Sequence, residues 1–179
     1  MPSIQKVAVI GSGVMGSGIA AQIANAGLEV ILLDIVAEGS DRDAVARDAI
    51  QRMRKTNPAP LMHSRNAARI QPGNLDDHLD WLADCDLVIE AVLENLEIKK
   101  DLYQKVDAHR RSDCIVTSNT STIPLDHLVA DMSEDFREYF AVTHFFNPPR
   151  YMRLLELVAG SDTQAGVITA LRDFGDRLL

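Results

Sequence analysis

Cysteine, aromatic side chains and positive charge are all scarce in this chain of 179 residues. Its two cysteines, Cys85 and Cys114, each lie in an apolar run and read as buried thiols of a reducing compartment rather than as a bridge or a metal pair. Eighteen Lys and Arg are outnumbered by 26 Asp and Glu, for a formal net charge of −8. Binding to a polyanion needs a basic footprint, so nucleic acid is not an expected partner. Ten Gly and seven Pro are too few for a fibrous or low-complexity chain. No apolar stretch reaches the ~20 residues of a membrane span. The opening MPSIQKVAVIG runs straight into a strand pattern, without the regions of a secretory signal. The expectation is a cytoplasmic protein of one domain, long enough to bury a core without staples.

The few basic residues are unevenly placed. Arg42, Arg47, Arg52, Arg54, Lys55, Arg65 and Arg69 fall in one segment that holds only Asp43 and Asp48 as acidic residues. Such a segment can attract a single anionic ligand while the rest of the surface repels polyanions. It can equally be a solvated helix face, and both readings stay open on charge alone.

Strand and helix patterns alternate along the chain. KVAVIG is a short β-branched run closed by glycine, Gly16 to Ala26 has helical composition, and Gly27 supplies a stop. EVILLD is a second buried strand. Ser40 followed by Asp43 resembles a capping box for a helix that runs to about Lys55, where NPAP breaks it. A short helix at Ser64–Arg69, a strand in ARIQPGN, a helix over Asp76–Asp84 and a strand in DLVIEAV follow. Asn95–Arg110 is helical, CIVTSN a strand, Pro124–Asp131 a helix, YFAVTHFF and RLLELVAG strands divided by NPPR, and Asp162–Leu179 a helix. Alternating β and α units predict an α/β fold of the Rossmann type, a doubly wound and mainly parallel sheet with helices on both faces.

Gly11, Gly13 and Gly16 form GSGVMG between the first strand and the first helix. The first glycine allows the tight turn, the second lets the backbone approach a pyrophosphate, and the third lets helix pack on strand. The helix start then offers N–H groups and a positive dipole end to phosphates. The glycine spacing alone is weak, but Asp34 ends the second strand about twenty residues on, where a carboxylate accepts ribose hydroxyls. It would repel a 2′-phosphate, which favours NAD over NADP. FAD shares the fingerprint.

In such a sheet, ligands bind beyond the carboxyl ends of the strands. Glu90 and Glu94, Ser118 to Ser121, and His144 with Asn147 fall at those ends. Oxidation of an alcohol by hydride transfer needs a base for the hydroxyl proton, and an unperturbed imidazole, titrating near ~6.5, suits that role. Glu156 in the next strand could accept the other ring N–H of His144 and fix its tautomer. A histidine in an apolar strand is also often a satisfied core residue, and the residues alone leave that alternative standing. His63, His78, His109 and His127 read as surface residues.

The segments GSGVMGSGIA, EAVLENLEIKKDLY, SNTST and HFFNPPRYMRLLELV, in that order, resemble the L-3-hydroxyacyl-CoA dehydrogenase family over essentially the whole chain. The wording of the first and last is similar to the long bacterial fatty-acid-oxidation enzymes that also carry a hydratase module. The resemblance implies NAD as cofactor and an acyl-CoA as substrate. It makes His144 the catalytic base and Glu156 its carboxylate partner. Ser121 corresponds to the serine that bonds the substrate 3-oxygen and touches the cofactor, and Asn147 to the asparagine beside the nicotinamide. Glu94 and Lys99 correspond to the pair near the nicotinamide ribose, Gly11, Gly13, Val14, Met15, Gly16 and Asp34 to the cofactor cradle. Glu90 is expected to support its strand end.

The implied reaction is reversible oxidation of an L-3-hydroxyacyl-CoA to the 3-ketoacyl-CoA, a step of fatty-acid β-oxidation. The family places coenzyme A near the helical segment after the second strand, where the basic residues gather. Its members continue with a further strand and an all-helical domain that supplies most dimer contacts. Residues 1–179 are therefore expected to be a truncated NAD-binding domain, inactive by itself and homo-oligomeric only in the longer protein. Two alternatives remain: a dehydrogenase of a free hydroxy acid, as in gulonate- or crystallin-like relatives, and a non-catalytic NAD-binding module.

Overall fold

In the computed structural model, which describes residues 3–179, β1 (Lys6–Ile10) is buried along nearly its whole length. A strand covered on both faces reads as a continuous apolar run, and β1 sends Val7 and Val9 to one core cluster and Ala8 and Ile10 to the other. It pairs in parallel with β2 (Glu29–Asp34) and with β4 (Leu87–Glu90). With β3 (Ile70–Asn74), β5 (Ile115–Ser118), β6 (Phe140–Phe145) and β7 (Leu155–Ala159), a seven-stranded sheet forms in the order β3-β2-β1-β4-β5-β6-β7. The first six strands are parallel, whereas β7 runs antiparallel to β6. Strand order reverses between β1 and β4, which opens a crevice at their carboxyl ends.

Helices cover both faces. On one side α1 (Val14–Asn25), α2 (Ala44–Met53) and α6 (Ala165–Leu178) bury Ile19, Ile23, Ile50, Leu171 and Phe174 against the sheet. On the other, α3 (Leu96–His109), α4 (Leu125–Leu128) and α5 (Glu134–Glu138) pack Tyr103, Leu128, Phe136 and Phe140 together. Gly27, with φ of 87°, follows α1 and turns the chain into β2 in the left-handed conformation glycine adopts readily. Cys85 and Cys114 are both free and buried, and burial pushes each thiol up to about 12. Among the described residues no helix is long and apolar enough to cross a membrane.

Local structure departs from expectation at several points. The capping box at Ser40 and Asp43 does not form: α2 starts at Ala44, and the Asp43 carboxylate instead accepts from Asn74 Nδ2 at 2.6 Å. A buried amide donor at the end of β3 has outcompeted the local helix cap. Leu79–Asp84 and Ser64–Arg69 are 3-10 turns rather than α-helices, and the helix expected over Pro124–Asp131 is the single turn α4. The turn α5, capped by Ser133, was not anticipated. His78 is half-buried rather than a plain surface residue, because its Nδ1 accepts from Asn74 N at 3.1 Å and its ring lies 4.0 Å from that of Trp81.

Candidate active site

The glycine turn needs its glycines for distinct reasons. Gly11 has φ of +99°, and a Cβ there would stand 2.6 Å from the Ala91 carbonyl oxygen. A Cβ on Gly16 would stand 1.8 Å from the Gly11 carbonyl oxygen, so α1 can leave β1 this sharply only without a side chain there. Gly13, at the N-cap of α1, faces open space. The helix start carries neither a capping side chain nor an acidic residue in its first turn, leaving N–H groups and a positive dipole end for an anion. These features fit the diphosphate of a dinucleotide.

Asp34, at the end of β2, closes the far side of this turn. Its Oδ2 accepts from both the backbone N–H and, at 2.6 Å, the hydroxyl of Ser12, while Oδ1 accepts from Ile35 N at 2.7 Å. Ser12, the variable residue of the glycine motif, was not singled out in the sequence. It aims the carboxylate into a cavity of about 940 Å³ that runs along the crevice. Gly11, Gly13, Val14, Met15, Asp34, Glu94, Lys99, Ser121, His144 and Asn147 all line that cavity. Gly16, expected in the cradle, is buried and does not line the cavity.

At the ends of β4 and β5 a buried polar cluster takes shape. Glu90 Oε1 accepts from Lys99 Nζ at 2.6 Å and Val92 N at 2.8 Å, and its Oε2 from Tyr103 Oη at 2.7 Å and Ser118 Oγ at 2.6 Å. The expectation that Glu90 supports its strand end is consistent with these contacts. Tyr103 stays a neutral donor, since burial raises its hydroxyl well above the ordinary range and the Glu90 charge adds to this. Lys99 Nζ also lies 3.3 Å from Glu94 Oε2. Glu94 Oε1 accepts from the Thr120 hydroxyl and, at 3.0 Å, from the Thr122 hydroxyl. Burial would raise the Glu94 carboxyl, but these hydroxyls and the Lys99 ammonium outweigh it and hold it at about 2. Tyr103, Thr120 and Thr122 lie within EAVLENLEIKKDLY and SNTST, but their individual roles were not legible there, because their partners lie up to 28 residues away.

His144 and Glu156 stand directly opposite each other in the β6–β7 ladder. His144 Nδ1 lies 2.8 Å from Glu156 Oε2, which leaves Nε2 as the nitrogen for chemistry in the cavity. The His144 side chain is 22% exposed, so it is not a satisfied core histidine. Phe146 packs its ring 4.6 Å from the imidazole. Asn119 Oδ1 accepts from Phe145 N at 2.9 Å and ties the β5 loop, with Ser121, to the end of β6. Asn147 begins the turn whose Pro149 lies against α1, and Gly18 makes that possible: a Cβ there would stand 2.8 Å from Pro149 Cδ.

A second cavity of about 560 Å³ adjoins the first and shares Gly13, Val14 and Asn147 with it. Its other walls include Arg52, Met53, Thr56 and Arg150. Part of the basic segment is neutralised locally, since Arg42 forms a forked pair with Asp77 at 2.6 and 2.9 Å and Arg47 reaches Asp41 at 3.0 Å. Arg150 is spent on structure, donating to the Ala59 and Leu61 carbonyls at 2.7 and 3.1 Å.

A helix start opened by glycine and facing a carboxylate at the next strand end is how Rossmann-type domains receive dinucleotides, and this chain is of that class. The family model described as 3-hydroxyacyl-CoA dehydrogenase, NAD binding domain, matches residues 6–178, and the chain belongs to that family. A putative fatty acid oxidation complex trifunctional enzyme of Rickettsia felis is 47% identical over 172 residues, covering 96% of this chain and 24% of its own length. A probable 3-hydroxyacyl-CoA dehydrogenase of Deinococcus radiodurans is 44% identical over 177 residues, covering 98% of this chain and 51% of its own length. The crystal structure of 3-hydroxybutyryl-CoA dehydrogenase from Escherichia coli K12 superposes with a TM-score of 0.82 at 34% identity, over 99% of this chain and 37% of the other. The chain thus spans about a quarter to a half of the length of these curated relatives.

Proposed function

We propose that the chain is the NAD-binding and catalytic-base part of a longer L-3-hydroxyacyl-CoA dehydrogenase. The observation that carries this reading is the 2.8 Å contact between His144 Nδ1 and Glu156, with His144 lining the same cavity as the glycine turn. When bound there, NAD supplies the hydride acceptor. Asp34 receives hydroxyls of the adenosine ribose, and the N–H groups at the start of α1 receive the phosphates. His144 Nε2 takes the proton of the substrate 3-hydroxyl, and Glu156 offsets the charge the imidazole gains. Ser121 holds the 3-oxygen, while Asn147 orients the reacting end between the two cavities. Glu94 and Lys99 hold the ribose next to the reactive ring.

The second cavity supports an acyl-CoA as the other ligand. It meets the first at Gly13, Val14 and Asn147, and Arg52 lines it. A thioester entering this way presents C3 beside His144 and leaves its phosphates toward the arginines of α2. By itself the chain binds NAD with little turnover, and the cytoplasm and a homo-oligomer are the setting for the longer enzyme.

In that enzyme, His144→Gln lowers turnover of 3-hydroxybutyryl-CoA by about 10²–10⁴-fold, the usual contribution of a positioned base. Its NAD affinity, measured by calorimetry, stays within about twofold of the unaltered protein. A large loss of NAD binding would contradict the assignment. A panel of CoA thioesters and free hydroxy acids separates this reading from the free-acid alternative.

A further inference from the structure

Glu90 is the charged group for which the proposed chemistry has no use. It ends β4, is 1% exposed, and is enclosed by four donors: the Lys99 ammonium, the Val92 N–H and the hydroxyls of Tyr103 and Ser118. A neutral amide could hold a strand end. A buried carboxylate is costly unless it is paired and hydrogen-bonded, and this one is saturated on both oxygens. Lys99 is equally buried, and its Nζ stands between Glu90 Oε1 at 2.6 Å and Glu94 Oε2 at 3.3 Å. Two carboxylates thus share one ammonium, and the trio carries a formal charge of −1. It lies at the ends of β4 and β5, tied through Glu94, Thr120 and Asn119 to the loop that abuts β6 and His144.

We propose that Glu90 is a positioning residue that, acting through Lys99, makes this end of the crevice favour the oxidised cofactor over the reduced one. Glu90 draws on the same ammonium that Glu94 contacts, so the trio keeps a net charge of −1, and Glu94 and Lys99 line the cavity. The nicotinamide ring is cationic when oxidised and neutral when reduced, and only the cationic form gains from that charge. This inference rests on the reading above, in which the ring lies beside His144. A unit charge acting across roughly 10 Å of partly polar medium changes such a preference by about three- to tenfold.

The test is the ratio of the NAD⁺ and NADH dissociation constants, measured by calorimetry and by NADH fluorescence. Glu90→Gln keeps the size of the side chain while making the trio neutral; its oxygen still accepts from Lys99 and Val92, and its NH2 donates to the Tyr103 and Ser118 hydroxyls once these turn to accept. The ratio is expected to move about three- to tenfold toward NADH, mainly through weaker NAD⁺ binding. The double variant Glu90→Gln/Lys99→Met returns the formal charge to −1, and its ratio is expected within about twofold of the unaltered chain even where both affinities fall. Glu94→Gln, at the exposed rim, neutralises the trio while leaving every contact of Glu90 in place and is expected to move the ratio the same way. Equal weakening of both forms in Glu90→Gln, or an unmoved ratio in Glu94→Gln, overturns the proposal. An unmoved ratio alongside the expected turnover loss in His144→Gln would reject the charge effect and leave the base assignment standing.

Discussion

Replacing Gly16 with alanine would place a methyl carbon 1.8 Å from the Gly11 carbonyl oxygen and 2.9 Å from its carbonyl carbon. Ordinary carbon–oxygen contact is ~3.3 Å, so the start of α1 and the end of β1 must separate by more than an ångström, and both are backbone inside the core. Overpacking with backbone displacement costs about 3 kcal/mol, and for a domain this size each kcal/mol lowers Tm by roughly 2–4 °C, giving a fall of about 6–12 °C. Gly13→Ala is the matched control. Gly13 has φ of −66° and ψ of −165°, a conformation open to alanine, and nothing lies within 4 Å of the added carbon. Its stability is expected to fall by about 1 kcal/mol, because Gly is preferred over Ala at an N-cap, and so by clearly less than in Gly16→Ala. Yet the methyl group occupies the space where a diphosphate meets the helix start, so NAD affinity is expected to fall at least about tenfold. Scanning calorimetry and NAD titration of the two variants give both readouts. A Gly16→Ala protein that melts with the unaltered chain, or a Gly13→Ala protein that retains full NAD affinity, would refute the geometry of the cradle.

The other expectations concern Asp34 and Glu94. Asp34→Asn removes the charge at the end of β2 while leaving an oxygen to accept from Ser12; the preference for NAD over NADP is expected to narrow at least about tenfold in parallel titrations, and an unchanged preference would mean the carboxylate does not read the ribose. Glu94 titrates at about 2 in the folded chain against an ordinary 4.5. A depressed carboxyl stabilises the fold fully above the unfolded value and loses that contribution as pH falls toward the folded one. The Tm should therefore drop more between about pH 5 and pH 2.5 in the unaltered chain than in Glu94→Gln, by a few degrees because the side chain is 40% exposed. Equal drops would show that the Thr120, Thr122 and Lys99 contacts do not hold the charged form.

Much of the scaffold was legible because it is written in short-range patterns. Continuous apolar runs marked strands buried on both faces, and the three-glycine turn marked where the first of them hands over to a helix. The placement of Asp34, Ser121, His144 and Asn147 at strand ends followed from counting residues after each run, and all four line one cavity. The errors came where a local signal met a distant competitor. Asp43 was read as helix-capping machinery, but Asn74, 31 residues away, claimed its carboxylate. His78 departs for a local reason: Trp81 and the Asn74 N–H, three and four residues away, pack against a ring whose polar surroundings suggest the surface.

Composition and pattern by themselves determined the α/β class, the dinucleotide cradle and the identity of the groups able to move a proton or bear a charge, since all of these depend on residue type and on spacings of a few positions. Only tertiary structure decided that β7 reverses direction and lays Glu156 opposite His144 rather than one residue to either side, a shift that would turn the carboxylate to the other face of the sheet. It also decided that Glu90 gathers donors from α3, from β5 and from the loop after β4 around one carboxylate. Such pairings depend on register and packing across tens of residues, and the chain acquires them only when the sheet closes over its core.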